Sequence, residues 1–233
     1  MSLPSRILVT GGGTGLGKAI AAACATAGAR VVICGRRQKL LDATAKEIGA
    51  EPLPLDIRET LPESLGAFDG LVHAAGARVH APVDHWDPSD AQDLWDLHVG
   101  ALARLAARLT PGAHGGSILA LSSTLALSPV EGSAIYSTTK AAQLALVRSL
   151  ALEGAGQRVR ANSLVLGVVP TDMTRSAPEG TEDLRLEALA RLHPLGLGHV
   201  EDVASAAVSL LSNPWITGAE LLADGGLSLT PAP

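Results

Sequence analysis

The sequence predicts an α/β fold in which one parallel sheet is covered by helices on both faces. Short apolar runs alternate with longer helical patterns from end to end, the order that β-α-β crossovers require. The first apolar run passes through a glycine-rich loop straight into an alanine-rich helical stretch, the local signature of a strand-loop-helix unit. A chain of 233 residues with 47% hydrophobic content is long enough for one substantial core and short for two domains, so residues 1–233 are read as a single domain.

Taken in order, Arg6-Ile7-Leu8-Val9 is the first strand, and Lys18 to Ala27 continues the helix that the glycine loop opens. Further strands read at Arg30 to Cys34, Leu53 to Leu55, Gly70 to His73, Ser117 to Leu121, Val159 to Leu166 and Glu220 to Ala223. Helical patterns lie at Arg36 to Ile48, Ser89 to Leu109, Ser133 to Glu153 and Glu201 to Leu211. Between Asp56 and Gly70 the chain is short and carries Pro62, leaving room for a brief helix at most. No internal repeat, linker or low-complexity tract interrupts this order.

Composition excludes several function classes. With 2% aromatic residues, the core must be built from Ala, Leu, Val and Ile. A formal charge of −5, from 18 basic and 23 acidic residues, argues against a general nucleic-acid binder. The first strand begins by Arg6, which leaves no room for a signal peptide, and no apolar run is long enough to span a membrane; a soluble, cytoplasmic protein is expected. Cys24 and Cys34 read as small apolar fillers rather than as a disulfide or a metal site, and no metal is expected.

Two motifs carry chemistry. In Thr10-Gly11-Gly12-Gly13-Thr14-Gly15-Leu16-Gly17, glycines let backbone approach a diphosphate while the following helix presents unpaired N–H groups. The spacing is Gly-x-x-x-Gly-x-Gly through Gly11, Gly15 and Gly17. A nucleotide-hydrolysing loop is a near miss, because Ala19 follows Lys18 where a magnesium-holding hydroxyl would be needed. The second motif is Tyr136-Ser137-Thr138-Thr139-Lys140, which holds the chain's only tyrosine. Residues four apart share a helix face, so the Lys140 ammonium favours the Tyr136 phenolate and makes a usable acid or base of a phenol that titrates at about 10 in water. Ser123, 136 − 123 = 13 positions earlier, ends the apolar run from Ser117, and strand ends are where open α/β sheets place their chemistry.

Together with the ending Ile216-Thr217-Gly218 to Asp224-Gly225-Gly226, these motifs resemble the short-chain dehydrogenase/reductase family in order and approximate spacing, from Ile7 to Gly226. The resemblance implies a Rossmann-type doubly wound parallel sheet of about seven strands. It also implies an NAD(P)-dependent oxidoreductase that transfers hydride between its cofactor and a small carbonyl or secondary alcohol substrate. Ser123, Tyr136 and Lys140 become the catalytic triad, with His98 standing where the family has a fourth catalytic residue, an asparagine. There His98 is read as a proton relay that changes charge near neutrality, or as a space-filling helix histidine.

For the cofactor, the resemblance assigns Thr10, Gly11, Gly13, Thr14, Gly15, Leu16 and Gly17 to the diphosphate loop, and Ala74, Ala75 and Gly76 to close backbone approach. Lys140 holds the nicotinamide ribose, the turn at Gly167 lies beside the nicotinamide, Thr171 stands at the position that contacts its carboxamide, and Tyr136 and Val169 complete the cofactor-binding set. Gly35 occupies the place of the NAD-selecting acid, and Arg36 and Arg37 follow it, so NADP(H) is preferred over NAD(H), which is the alternative; the bland reading of these arginines is a solvated helix start. Asp56-Ile57 resembles the adenine-contacting pair, with a helix cap as the other reading.

Departures from the family pattern are His73-Ala74 in place of two asparagines, and Leu166-Gly167 in place of Pro-Gly, which leaves the turn less constrained. Residues 172–193, with Leu184, Leu186, Leu189 and Leu192, resemble the substrate lid, although ordinary helix packing explains those leucines too. A 3-oxoacyl thioester reductase is the best single expectation, followed by a sugar or polyol dehydrogenase and by a non-catalytic NADP-sensing protein. The family's usual homodimer or homotetramer is expected.

Overall fold

The computed structural model describes residues 3–175 and 182–230. Seven strands form one parallel sheet: β1 Arg6–Thr10, β2 Arg30–Gly35, β3 Glu51–Pro54, β4 Gly70–His73, β5 Gly116–Ser123, β6 Val159–Leu166 and β7 Glu220–Ala223. Their order across the sheet is β3-β2-β1-β4-β5-β6-β7, so the chain reverses its direction of travel between β1 and β4. That switch point is where open α/β sheets form a crevice at the carboxyl ends of their strands.

Strand side chains alternate between faces, and both faces are covered. Ile7, Val9, Ile33 and Leu119 point into a core completed by Ile20 and Cys24 of α1 (Gly15–Thr26), Leu41 of α2 (Gln38–Ile48), and Ala207 and Leu211 of α8 (Val200–Ser212). Leu8, Val32, Leu71 and Ile118 point the other way, against Leu102 and Leu105 of α4 (Ala101–Ala106) and Val147 of α5 (Ala134–Gly154). The chain's one phenylalanine, Phe68, is 2% exposed and fills this second core, which is otherwise aliphatic as the composition requires.

Most boundaries shift by a residue or two, and three differences from the sequence reading bear on the site. The helix expected from Ser89 to Leu109 is divided: α3 (Pro88–Trp95) and α4 are separated by a π-helical turn at Asp96–Gly100, with the Ala101 N–H reaching back to the Asp96 carbonyl. Helix α2 begins at Gln38, leaving Arg36 and Arg37 outside the helix at the mouth of the crevice. Strand β3 spans Glu51–Pro54, because it pairs through Val32↔Glu51 to Gly35↔Pro54. Between Asp56 and Gly70 only one 3₁₀ turn forms, Glu63–Leu65, in keeping with the brief element expected there. Of the expected lid, α6 (Asp172–Arg175) and α7 (Glu182–Leu192) are helical, and residues 176–181 of its polar segment lie outside the described residues.

Candidate active site

A cleft of about 630 Å³ opens at the switch point. It is lined by Gly11, Gly13, Thr14, Gly15, Leu16 and Gly17 from the first loop, Arg36 and Arg37 after β2, Asp56 and Ile57 after β3, Ala74, Ala75 and Gly76 after β4, and Thr171. Gly11 has φ +67°, and a Cβ there would lie 3.0 Å from the Ala75 backbone, so only glycine closes this seam without displacing the neighbouring loop. A Cβ on Gly17 would run into the Gly11 carbonyl oxygen, which explains how helix α1 starts so close to the loop.

Thr10 is fully buried and acts one step back from the cleft. Its Oγ1 accepts the Ala75 N–H at 3.0 Å and lies 3.3 Å from His73 Nδ1. His73 Nε2 is 3.0 Å from the Leu97 carbonyl, so Nε2 carries the proton and Nδ1 accepts from the Thr10 hydroxyl. Burial, reinforced by the Lys140 charge, pushes the His73 pKa down to about 3. A neutral imidazole thus ties β1, β4 and the π-helical turn together where the family pattern has an amide.

The end of the cleft near β2 and β3 carries one residue that sequence reasoning missed. Arg58 donates to both carboxylate oxygens of Asp56, with Nη2–Oδ2 at 2.8 Å and Nε–Oδ1 at 3.1 Å, and reaches Asp93 Oδ1 at 3.2 Å. The Arg58 hydrogen bonds hold the Asp56 carboxyl below its usual range in spite of burial, with the Arg36 charge helping. The missed signal was the spacing itself, an acid and an arginine two residues apart just after a strand. Arg37 Nη2 donates to Thr14 Oγ1 at 3.1 Å and so joins the β2 end to the phosphate loop.

Ser123, at the end of β5, and Tyr136 and Lys140, on α5, come together beyond the cleft lining. The link is Ala77, which lines the cleft and donates its N–H to His98 Nε2 at 3.4 Å. Ser123 Oγ accepts the Leu125 N–H at 3.2 Å, and its hydroxyl lies near enough to the Tyr136 phenol to favour the phenolate. The Lys140 Nζ lies 5.9 Å from the Tyr136 ring centroid. It donates to the Leu121 carbonyl at 2.8 Å and to Gln143 Oε1 at 3.3 Å.

The electrostatics correct two expectations. Burial raises the Tyr136 pKa, and the Ser123 hydroxyl and the Arg78 charge offset this only in part, so the phenol sits above its ordinary value rather than below it. Burial also lowers Lys140 to about 7, which weakens the cation that was to stabilise the phenolate. His98 does not titrate near neutrality: burial first, then the Lys140 charge, push it down to about 2. Its Nδ1 lies 2.9 Å from Thr139 Oγ1, whose own proton goes to the Tyr136 carbonyl, so Nδ1–H donates and Nε2 accepts. The ring meets Tyr136 edge-on at 5.6 Å.

Beyond β6, Thr171 lines the cleft, whereas Val169 is 5% exposed and packs into the first core, and Gly167 abuts Asp224. The turn that lacks proline is held instead by His193, a second residue that sequence reasoning missed. His193 Nε2 accepts the Val168 N–H at 3.1 Å, and its Nδ1–H donates to the Leu189 carbonyl of α7 at 2.7 Å.

Comparison with known proteins agrees with this geometry. The family model described as "Enoyl-(Acyl carrier protein) reductase" matches residues 11–228. A 3-oxoacyl-[acyl-carrier-protein] reductase of Rattus norvegicus is 36% identical over 238 aligned positions, covering 95% of this chain and 97% of the relative. An L-rhamnose 1-dehydrogenase (NAD(P)(+)) of Azotobacter vinelandii is 33% identical, covering 95% of each chain. The solved Pseudomonas aeruginosa RhlG/NADP active-site complex superposes with a TM-score of 0.87 at 30% identity, covering 97% of each chain. With a match of this extent over a seven-stranded doubly wound sheet, the chain belongs to the short-chain dehydrogenase/reductase family of NAD(P)-dependent oxidoreductases.

Proposed function

We propose that this protein is an NADP(H)-preferring reductase of 3-oxoacyl thioesters, with Ser123, Tyr136 and Lys140 as its catalytic residues. The observation that carries the reading is the half-buried Tyr136 side chain, with Lys140 Nζ 5.9 Å from its ring centroid and the Ser123 hydroxyl acting on its phenol, next to a dinucleotide-sized cleft.

The cleft fits the dinucleotide: a Cβ would close its seam at Gly11, and its adenosine end offers Arg36, Arg37 and Arg58 with no acid at Gly35. Arg58 already neutralises Asp56, so that carboxylate repels a 2′-phosphate little, and no acid stands at Gly35 to compete for Arg36. Bound NADPH supplies the hydride for the substrate carbonyl carbon. Tyr136 Oη gives its proton to the carbonyl oxygen, a step of general acid catalysis worth about 10²- to 10⁴-fold. Ser123 donates to the same oxygen as negative charge develops there. Lys140 holds the nicotinamide ribose and, when charged, eases the loss of the phenol proton. His98, held neutral by burial, orients Ala77 and the π-helical turn rather than relaying protons.

An acyl substrate is favoured over a sugar by apolar surface on the lid helices: Met173 of α6, which lines the cleft, is 45% exposed, and Leu184 of α7 is 69% exposed. The rhamnose dehydrogenase relative supports the sugar reading as the second choice. We assign residues 172–193 as the lid of a single catalytic domain, in a cytoplasmic homodimer or homotetramer. Among the described residues no helix is long and apolar enough to cross a membrane. The test is NADPH and NADH oxidation with acetoacetyl thioesters, simple ketones and sugars. Turnover of thioesters with NADPH is expected, and tight NADPH binding without oxidation of any substrate would replace the reductase with a sensor.

A further inference from the structure

Gln143 is fully buried on α5, one turn beyond Lys140 and outside the expected triad. Its two amide atoms are both engaged: Oε1 accepts from Lys140 Nζ at 3.3 Å, and Nε2 donates to the His98 carbonyl at 3.1 Å. That carbonyl belongs to the π-helical turn. A π-helical turn widens the helix and loosens its internal hydrogen bonding, and such turns occur often at functional sites. Here side chains reach two successive carbonyls of the turn, His73 at Leu97 and Gln143 at His98. The Lys140 ammonium therefore has two oxygen partners, the fixed Leu121 carbonyl and the Gln143 amide.

We infer that Gln143 is a positioning residue for the reaction: it aims the Lys140 ammonium and anchors it to the π-helical turn. The inference rests on the proposed pairing of Lys140 with Tyr136. A primary amide holds a cation without taking up charge, so this bridge fixes Lys140 in place but passes no proton onward. The titratable groups around Lys140 are His73 from β4, His98 from the π-helical turn and Tyr136 from α5, with Arg78 acting on Tyr136. Both histidines stay neutral above pH 5, so the Gln143 position is the lever by which a substitution sets the charge of Lys140.

The test reads Lys140 directly. The chain has four lysines, and Lys18, Lys39 and Lys46 lie at the surface, so NMR titration of ε-carbon-labelled protein isolates one buried resonance. Gln143→Glu keeps the shape and the acceptor but adds a carboxylate, and is expected to move the Lys140 midpoint up by about one unit or more. Gln143→Leu removes the acceptor and is expected to move it down. The pH profile of kcat is expected to follow the resonance in each variant. A Lys140 midpoint in Gln143→Glu equal to the wild-type value overturns the inference, and so do shifts in the same direction in both variants. If Gln143→Leu fails to fold, Gln143→Glu decides alone. Wild-type turnover in Tyr136→Phe would instead sink the catalytic reading while leaving the lysine titration interpretable.

Discussion

Acid stability gives the sharpest check on the electrostatics of the buried histidines. In the unfolded chain His98 titrates near 6.5, and in the native structure burial pushes it to about 2. Above pH 6.5 both states are neutral and the native state keeps its full stability. As pH falls below 6.5, the unfolded chain binds a proton that the native state refuses, so stability is lost until the native pKa is reached. Between pH 7 and pH 5 the loss is 2.303RT times the change in log(1 + 10^(6.5−pH)), or about 1.9 kcal/mol. That figure needs the native pKa only to lie well below 5. His73, pushed to about 3, adds a similar amount. The perturbation is His98→Asn, and the assay is urea unfolding at the two pH values. The variant is expected to lose about 2 kcal/mol less than wild type between them, because the carboxylates common to both proteins cancel in the difference. Equal losses in the two proteins would mean that His98 is solvated or already charged, and the reasoning would be refuted.

Tyr136→Phe is expected to abolish turnover while preserving NADPH binding, measured by cofactor fluorescence; near-wild-type rates would remove the acid from the mechanism. Lys140→Met should depress kcat and flatten its pH profile near 7, where the buried ammonium titrates. An unchanged limb would place that ionisation elsewhere. Arg36→Ala should lower the ratio of NADPH to NADH efficiency about tenfold or more, the worth of one charge-assisted hydrogen bond to phosphate. An unaltered ratio would exclude Arg36 as the selecting group. Gly17→Ala should destabilise the fold by about 1–3 kcal/mol and weaken dinucleotide binding, because its Cβ meets backbone that cannot yield. Thermal denaturation with and without NADPH separates the two effects.

Alternation of apolar runs with helical patterns was enough to locate every strand: the inner strands are largely buried on both faces and read as apolar runs, and the more exposed edge strands β3 and β7 still carry short apolar runs between helical patterns. The glycine loop was equally legible, since its requirement is conformational and glycine alone meets it. What escaped were features set by single tertiary contacts. The π-helical turn adds no residue type that a helix lacks, so Ser89 to Leu109 read as continuous. Gln143 looked like any polar residue on a helix until β5 and the turn closed over it. Tyr136 and Lys140 were found by spacing, but the sign of the phenol's shift depends on how deeply α5 is buried, which spacing does not encode. His193 lies 193 − 167 = 26 residues from the turn that it restrains, beyond the reach of any local pattern.

The central seam of the sheet also governs when the molecule acquires its site. No two strands are joined by a hairpin, and β1 meets β4 through Ile7↔Gly70, 70 − 7 = 63 residues apart. Pairings this distant close slowly, because chain entropy must be surrendered before any contact compensates. The Thr10–His73–Ala75 bonds sit at the end of that same seam, so the wall of the cleft cannot exist in a chain that has folded only its β1-α1-β2 unit. The cleft wall is therefore a product of the whole sheet: Thr10 must meet His73 and Ala75, 73 − 10 = 63 and 75 − 10 = 65 residues away, before it exists.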